Sequence, residues 1–234
     1  MIKRMLDMSL VDWDGHVTAV LFMGGCNFRC PWCYNRDLVL RPRELPTIPI
    51  GVALKRINEN KGLIDGVVIT GGEPTLSPSL TRICLALKRE GYLVKLDTNG
   101  TNPFILWALL KRGLLDYVAM DVKAPLEEGA YSVACGVDAK RYLERIRESI
   151  DVIISSGVDH EFRTTIVPGI HKPEDVERIA QEIRGCRRYV IQGFKPLGPT
   201  IDPRYEEVEA MTEGELTVYA EHARKILDNV IIRV

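Results

Sequence analysis

Nowhere in the 234 residues does an apolar run approach the ~18 that a membrane span needs, and the opening MIKRMLDMSLVDWDG has no apolar stretch of signal-peptide type. A cytoplasmic protein with no membrane partner is expected. There is no surplus of positive charge either. Lys and Arg number 31 against 32 Asp and Glu, a net charge of -1, which removes the usual basis for gripping nucleic acid through its phosphates. Low-complexity segments and internal repeats are missing as well. What remains is 46% hydrophobic and 27% charged, at a length routine for one α/β barrel, so a single domain over 1–234 is expected.

Short β-branched runs recur along the chain: VTAVLFM (17–23), GVVIT (66–70), YLVKLDT (92–98), LLDYVAMDV (114–122), HEFRTTIV (160–167), RYVIQGF (188–194) and NVIIRV (229–234). Their largely apolar character suits strands of a parallel sheet buried on both faces. Between them lie helices with readable ends. One has Ser77 as N-cap, Pro78 at the first helical position and Gly91 just past the end; another has Asn102, Pro103 and Gly113 in the same roles. A third, 173–185, spaces Val176, Ile179, Ala180 and Ile183 along one face, and further helices are expected around 51–60, 139–156 and 212–227. Strand and helix alternating in this way build right-handed βα units. Six to seven units fall short of the eight of a closed barrel, so the expected fold is α/β, a partial, open TIM-like barrel. The motifs GGC, GGEP, DTNG and DVKAP all fall at C-terminal strand ends, where such folds keep their sites.

GGCNFRCPWCYN (24–35) sets Cys26, Cys30 and Cys33 in the spacing C-x3-C-x2-C, on the loop after the first of these strands. Reduced cytoplasmic thiols at such spacing point to metal ligands or reactive groups. A closed zinc site wants four ligands, and the nearest histidine, His16, lies on the far side of the strand. A [4Fe–4S] cluster held by three thiolates leaves one iron open to a substrate or cofactor. Zinc, or three buried cysteines gathered by chance, are the competing readings. Cys84, Cys135 and Cys186 form no second close-set group and read as small buried hydrophobes.

With Trp32 just before the last cysteine and GGEP after the next strand, the sequence resembles the radical S-adenosylmethionine (SAM) superfamily. GCNFRCPWCYN, ITGGEPTL, LDTNG, YVAMDVKAP and EFRTTIVPGIH, over about residues 16–195, together resemble the activating enzymes of glycyl radical enzymes, most closely the anaerobic ribonucleotide reductase activating type. Residues 196–234 carry no recognisable chemistry and read as a C-terminal extension.

The resemblance implies one [4Fe–4S] cluster on Cys26, Cys30 and Cys33, with SAM chelating the open iron. One electron then breaks the sulfur–C5′ bond to give a 5′-deoxyadenosyl radical. Gly71, Gly72 and Glu73 would meet the amino group of SAM, the glycines because a Cβ would block close approach. Thr98 and Asn99 match contacts to its ribose and carboxylate. Lys123 would hold the carboxylate, tempered by Asp121 on the same strand face. Arg163 would hold SAM or an incoming peptide, provided that Phe162 and Thr164 face outward, and Trp32 would lie beside the adenine. The family's activases can place a monovalent cation between carboxylates at the positions of Asp97 and Asp121; Asp97 otherwise reads as pointing away from the cavity or serving structure. His171, at a strand-to-helix loop, reads as a loop histidine, with a SAM contact as the alternative. Each has a bland alternative: a β-to-α turn for the glycines, a solvated pair for Asp121 and Lys123, a structural ion pair for Arg163, packing for Trp32.

The absence of an extra domain or a second cysteine group favours an activase over an enzyme that encloses a small molecule. The expected partners are a glycyl radical enzyme, taken as anaerobic ribonucleotide reductase, and an electron donor such as flavodoxin or ferredoxin. A pyruvate formate-lyase-like partner or another peptide or small molecule are the alternatives within the superfamily. A non-catalytic metal-binding or electron-transfer protein is the alternative from another class.

Overall fold

The computed structural model describes all 234 residues. Eight strands form one sheet whose spatial order is their sequence order: β1 (Ile2–Ser9), β2 (Thr18–Met23), β3 (Gly66–Gly71), β4 (Leu93–Thr98), β5 (Tyr117–Asp121), β6 (Asp159–Ile166), β7 (Tyr189–Gly193) and β8 (Val230–Arg233). β1 runs antiparallel to β2, and every later pair is parallel. The helices are α1 (Arg36–Leu40), α2 (Ile50–Asn58), α3 (Leu80–Arg89), α4 (Pro103–Lys111), α5 (Glu128–Cys135), α6 (Leu143–Ser156), α7 (Pro173–Glu182) and α8 (Glu213–Arg224). β8 does not pair with β1, so the barrel stays open.

The parallel strands bury both faces, as their apolar runs require. Outward residues such as Leu21, Ile69, Leu96, Phe162 and Ile191 join one apolar cluster with the helices. The inward face is different. Val20 and Val68 pack with Trp13, a buried residue of the β1–β2 connection, which plugs the floor of the lumen. Above it the strand period of two brings Lys95 and Asp97 of β4, Asp121 of β5, and Glu161 and Arg163 of β6 onto one interior surface. Across the open side, Asp14 accepts from Arg188 at 3.2 Å and from Arg233 at 3.3 Å, tying the β1–β2 connection to the chain at β7 and β8.

Three expectations are corrected. There are eight strands rather than seven: β1 went unread because its sequence, IKRMLDMS, mixes charge with apolar residues and much of it is exposed. α3 begins at Leu80 with Ser79 at its N-cap, not Ser77, whose carbonyl instead accepts from Leu80 N–H while Ser77 closes the 3₁₀ turn Pro74–Leu76. The chain after 126 also contains α5, which ends at Cys135 on Gly136 at φ +68. The α4 boundaries stand as read, with Asn102 at the N-cap, Pro103 first and Gly113 at φ +62.

Candidate active site

In-register pairing sets the geometry. Met23 lies opposite Gly71, so the cysteine loop leaving β2 and the Gly-Gly-Glu loop leaving β3 start side by side. Gly71 sits at φ +116, in the left-handed region. A Cβ on Gly72 would lie 2.1 Å from the Gly25 carbonyl oxygen, so only glycine lets the two loops touch. Gly72 and Glu73 N–H groups donate to Met23 and Gly25 carbonyls at 2.8 Å each, and Asn35 Nδ2 reaches the Gly71 carbonyl at 3.2 Å.

These loops rim a cavity of about 400 Å³ at the C-terminal ends of the strands. Cys26, Cys30 and Cys33 line it together with Trp32, Gly71 and Gly72 on one side. Thr98, Asn99, Asp121, Lys123 and Arg163 line the other. Glu73 does not. Its carboxylate, 1% exposed, accepts four hydrogen bonds: from Thr75 N–H (3.0 Å), Thr75 hydroxyl (2.6 Å), Thr98 hydroxyl (2.8 Å) and Asn99 N–H (2.7 Å). It is a bracket that joins the β3 and β4 loops, and only its backbone is left for a ligand. The side chains of Thr98 and Asn99 are partly committed too. Thr98 Oγ1 also accepts from Gly100 N–H, and the Asn99 amide donates to Asn27 at 2.9 Å while accepting from Thr101.

Asp97 is corrected outright: it lines the cavity rather than pointing away. Its Oδ2 is 3.5 Å from Arg163, and its buried Oδ1 accepts no hydrogen bond, with Lys95 Nζ 3.9 Å away. Arg163 faces inward while Phe162 and Thr164 are buried outward, and it donates to Asp121 at 2.9 Å. Lys123 Nζ stands 3.3 Å from the other Asp121 oxygen. Burial alone would raise the Asp121 pKa, but Arg163 and Lys123 outweigh it and hold the carboxyl below the ordinary range. Burial likewise pulls Lys123 down, and Asp121 together with Cys30, Tyr131 and Cys26 more than reverses it. The pair is a partly buried ion triad, not a solvated contact.

His171 turns out to do more than fill a loop. Its Nδ1 accepts from Val167 N–H at 3.0 Å, so Nε2 carries the proton and donates to the Lys123 carbonyl at 2.7 Å. The ring thereby pins the backbone of Lys123, and its edge meets Trp32 with centroids 6.0 Å apart. The segment after β7, which had no recognisable chemistry, forms a cavity wall. Ile201 and Asp202 N–H groups donate to Cys33 and Pro31 carbonyls at 3.2 and 2.9 Å, and Tyr205 packs on Trp32. Thr165 and Gln192 also line the cavity unread; the strict alternation Glu161, Arg163, Thr165 along β6 was the available signal.

No three His, Cys, Asp or Glu side chains stand close enough to grip a single metal ion. A cubane differs, because its cysteines bind separate irons. The donor set fits one: three thiols face a shared cavity, and burial, with the Glu73 carboxylate adding to it, pushes Cys26 up to about 11. Burial raises Cys30 and Cys33 also, so holding all three as thiolates needs a cationic partner, which iron supplies.

An open, largely parallel α/β barrel with a thiol triad at the C-terminal mouth of its first parallel strand defines a class, and the sequence comparison agrees with it. The family model of the radical SAM superfamily matches residues 20–183, and the chain belongs to that superfamily. Membership implies a [4Fe–4S] cluster and SAM, and makes the protein a radical SAM enzyme. Two proteins of Methanocaldococcus jannaschii are similar along nearly the whole chain, both named as proposed glycyl-radical enzyme activating enzymes. One is 34% identical over 100% of this chain and 95% of its own length. The other is 28% identical over 95% and 82%. Among solved structures, Streptococcus suis SuiB superposes with a TM-score of 0.71 at 13% identity, covering 92% of this chain and 48% of SuiB. That likeness concerns the fold alone, and no helix here is long and apolar enough to cross a membrane.

Proposed function

We propose that the protein is an activase that generates a glycyl radical on a partner enzyme, with anaerobic ribonucleotide reductase as the partner. The observation that carries it is one cavity edged by three thiols without a fourth, faced by an Asp121–Lys123–Arg163 triad. The likeness of the whole chain to a relative named as an activating enzyme supports the same reading. Cys26, Cys30 and Cys33 would be the three protein ligands of the cluster. When bound, the cluster would deliver one electron to the sulfonium of SAM, whose C5′–S bond breaks to leave a carbon radical.

The chain's own residues bind and orient. Lys123, held by Asp121 and by the His171 contact to its carbonyl, presents a fixed ammonium to a carboxylate. Gly71 and Gly72 leave room for backbone contact with an amino group, and Trp32 offers an aromatic wall beside the thiols. Asp97 and Asp121 already share the Arg163 guanidinium, and Asp97 Oδ1, which accepts no hydrogen bond and lies 3.9 Å from Lys95 Nζ, is the oxygen of that pair which a monovalent cation would contact. Trp13 and Glu161 are both buried within the lumen, Trp13 packed on Val20 and Val68. Reduction by a flavodoxin or ferredoxin and a cytoplasmic setting belong to the same proposal.

The test is anaerobic incubation of the iron-loaded protein with anaerobic ribonucleotide reductase, SAM and a reductant. A glycyl doublet in the EPR spectrum is expected. Cleavage of SAM without that doublet would turn the choice to a pyruvate formate-lyase-like partner or another substrate, and absence of SAM cleavage with an intact cluster would overturn the enzyme reading.

A further inference from the structure

Beside the reaction cavity runs a second cleft of about 500 Å³, lined by Arg4, Arg36 and Arg41 with Asp37 as its single carboxylate. Arg4 takes that carboxylate at 3.3 Å. Arg36 and Arg41 form no ion pair and donate no side-chain hydrogen bond, whereas the interior cations Lys95, Lys123 and Arg163 all face carboxylates. Lys195, exposed and likewise unpaired, stands on the cavity's own rim. The two spaces adjoin: Tyr34, Asn35 and Leu197 line both. Two of these shared residues carry apolar surface into solvent, Tyr34 at 53% and Leu197 at 71% exposure.

We infer that this cleft is the docking groove for an acidic segment of the partner protein, the stretch that leads into the cavity next to the reacting glycine. This rests on the reading of the protein as an activase. Unpaired arginines beside the mouth attract carboxylates over a Debye length and set orientation on encounter. Tyr and Arg together, around an apolar step, are the side chains that carry protein–protein contacts. A free phosphate would use the arginines and leave Tyr34 and Leu197 bare, so a peptide accounts for more of the surface than a small anion does.

The test uses the iron-loaded protein with SAM, under argon, and two fluorescein-labelled peptides: one glycine flanked by glutamates, and its twin flanked by lysines. Fluorescence anisotropy should show the acidic peptide binding and the lysine twin failing to bind. Affinity should fall about tenfold in Arg36→Glu/Arg41→Glu, recover in Arg36→Lys/Arg41→Lys, and weaken as salt rises from about 50 to about 300 mM. Both arginine side chains lack partners in the fold, so the variants keep its contacts. Equal affinity of the wild type and the Glu variant, or equal binding of the lysine twin, overturns the groove. So does displacement by inorganic triphosphate at lower concentration than by unlabelled peptide, which assigns a small-anion site. The activase reading has its own readout: deuterium carried from an α-deuterated glycine of the peptide into 5′-deoxyadenosine. Arginine-dependent binding without that transfer counts against the activase alone, and transfer indifferent to the arginines counts against the groove alone.

Discussion

Arg163 and Asp121 sit directly opposite each other on neighbouring strands, and the guanidinium Nε donates to the carboxylate at 2.9 Å. Their side chains are 13% and 32% exposed, so neither is fully hydrated without the other. Arg163→Met leaves Asp121 with Lys123 alone and strips Asp97 of its guanidinium, which should cost about 3 kcal/mol in urea denaturation at neutral pH. Because the folded state holds the Asp121 carboxyl below its ordinary range, its stabilisation is present at neutral pH and disappears as pH falls below that range. In the variant, with the depression largely removed, that acid-linked loss should be smaller. Matching pH profiles for the two proteins would show that the pair is idle.

Glu73 joins two loops rather than meeting a ligand through its side chain. Glu73→Gln keeps an acceptor for Thr75 and Thr98 but turns an amide donor toward the Asn99 N–H, which then lies buried and unpaired. A loss of about 1–3 kcal/mol in stability is expected, with faster hydrogen exchange at Asn99. Burial keeps the Glu73 carboxyl above the ordinary range against its four donors, so wild-type stability from this group is present at low pH and declines as pH rises through the raised value. The glutamine variant should lack that decline. Unchanged exchange at Asn99 would refute the bracket.

The parallel strands and the thiol triad were legible because each is encoded locally. Burial on both faces demands unbroken apolar runs, and cluster ligation demands three thiols within a short loop. β1 was hidden since an edge strand with Lys3, Arg4 and Asp7 in it gives neither an apolar run nor strict alternation. Asp97 was misjudged at a strand end, where both it and Thr98 reach the cavity as the chain turns. The wall around Ile201 and Tyr205 rests on two backbone hydrogen bonds to the cysteine loop, and backbone bonds from irregular chain leave no residue pattern to read. His171 was read from its place in a strand-to-helix loop; its bond to the Lys123 carbonyl spans 48 residues and exists only once the fold forms.

Close contact between Gly72 and the Gly25 carbonyl predicts that the cysteine loop depends on a residue outside it. Gly72→Ala must push that loop aside, since its Cβ falls 2.1 Å from the carbonyl oxygen. Iron incorporation during anaerobic reconstitution should drop severalfold although all three thiols remain. Gly51→Ala, in α2 with nothing within 4 Å of the new Cβ, should load normally and gain about 0.5–1 kcal/mol from helix propensity. Equal loading of the two variants would disprove the coupling.

Cys26, Cys30 and Cys33 line the cavity, whereas Cys84 lies buried on α3 and Cys186 follows α7. Replacing any one of the first three by alanine should reduce bound iron from about four per chain to near none, with loss of the cluster's visible absorption. Cys84→Ala and Cys186→Ala should keep their iron. A triad variant that retains a full complement of iron would remove the basis for three-thiol ligation.

His171 makes a prediction about acid stability. The buried ring accepts at Nδ1 from Val167 and donates at Nε2 to Lys123, so protonation would put a second N–H against the Val167 N–H. Burial accordingly lowers its pKa, against the raising effect of its backbone partners. A lowered histidine leaves stability intact above the unfolded value of about 6.5 and drains it as pH falls below that point. His160, also lowered by burial, is held between the Val158 carbonyl and Arg187 N–H and adds to the same slope. His171→Gln should therefore be less stable than wild type at pH ~7 by about 1–2 kcal/mol, since Val167 N–H loses its acceptor. It should also lose less stability than wild type between pH ~7 and ~5.5, with His160 supplying the slope that remains. Urea midpoints across that range check both parts, and a variant whose slope equals that of the wild type would mean that His171 stays hydrated or charged in the fold.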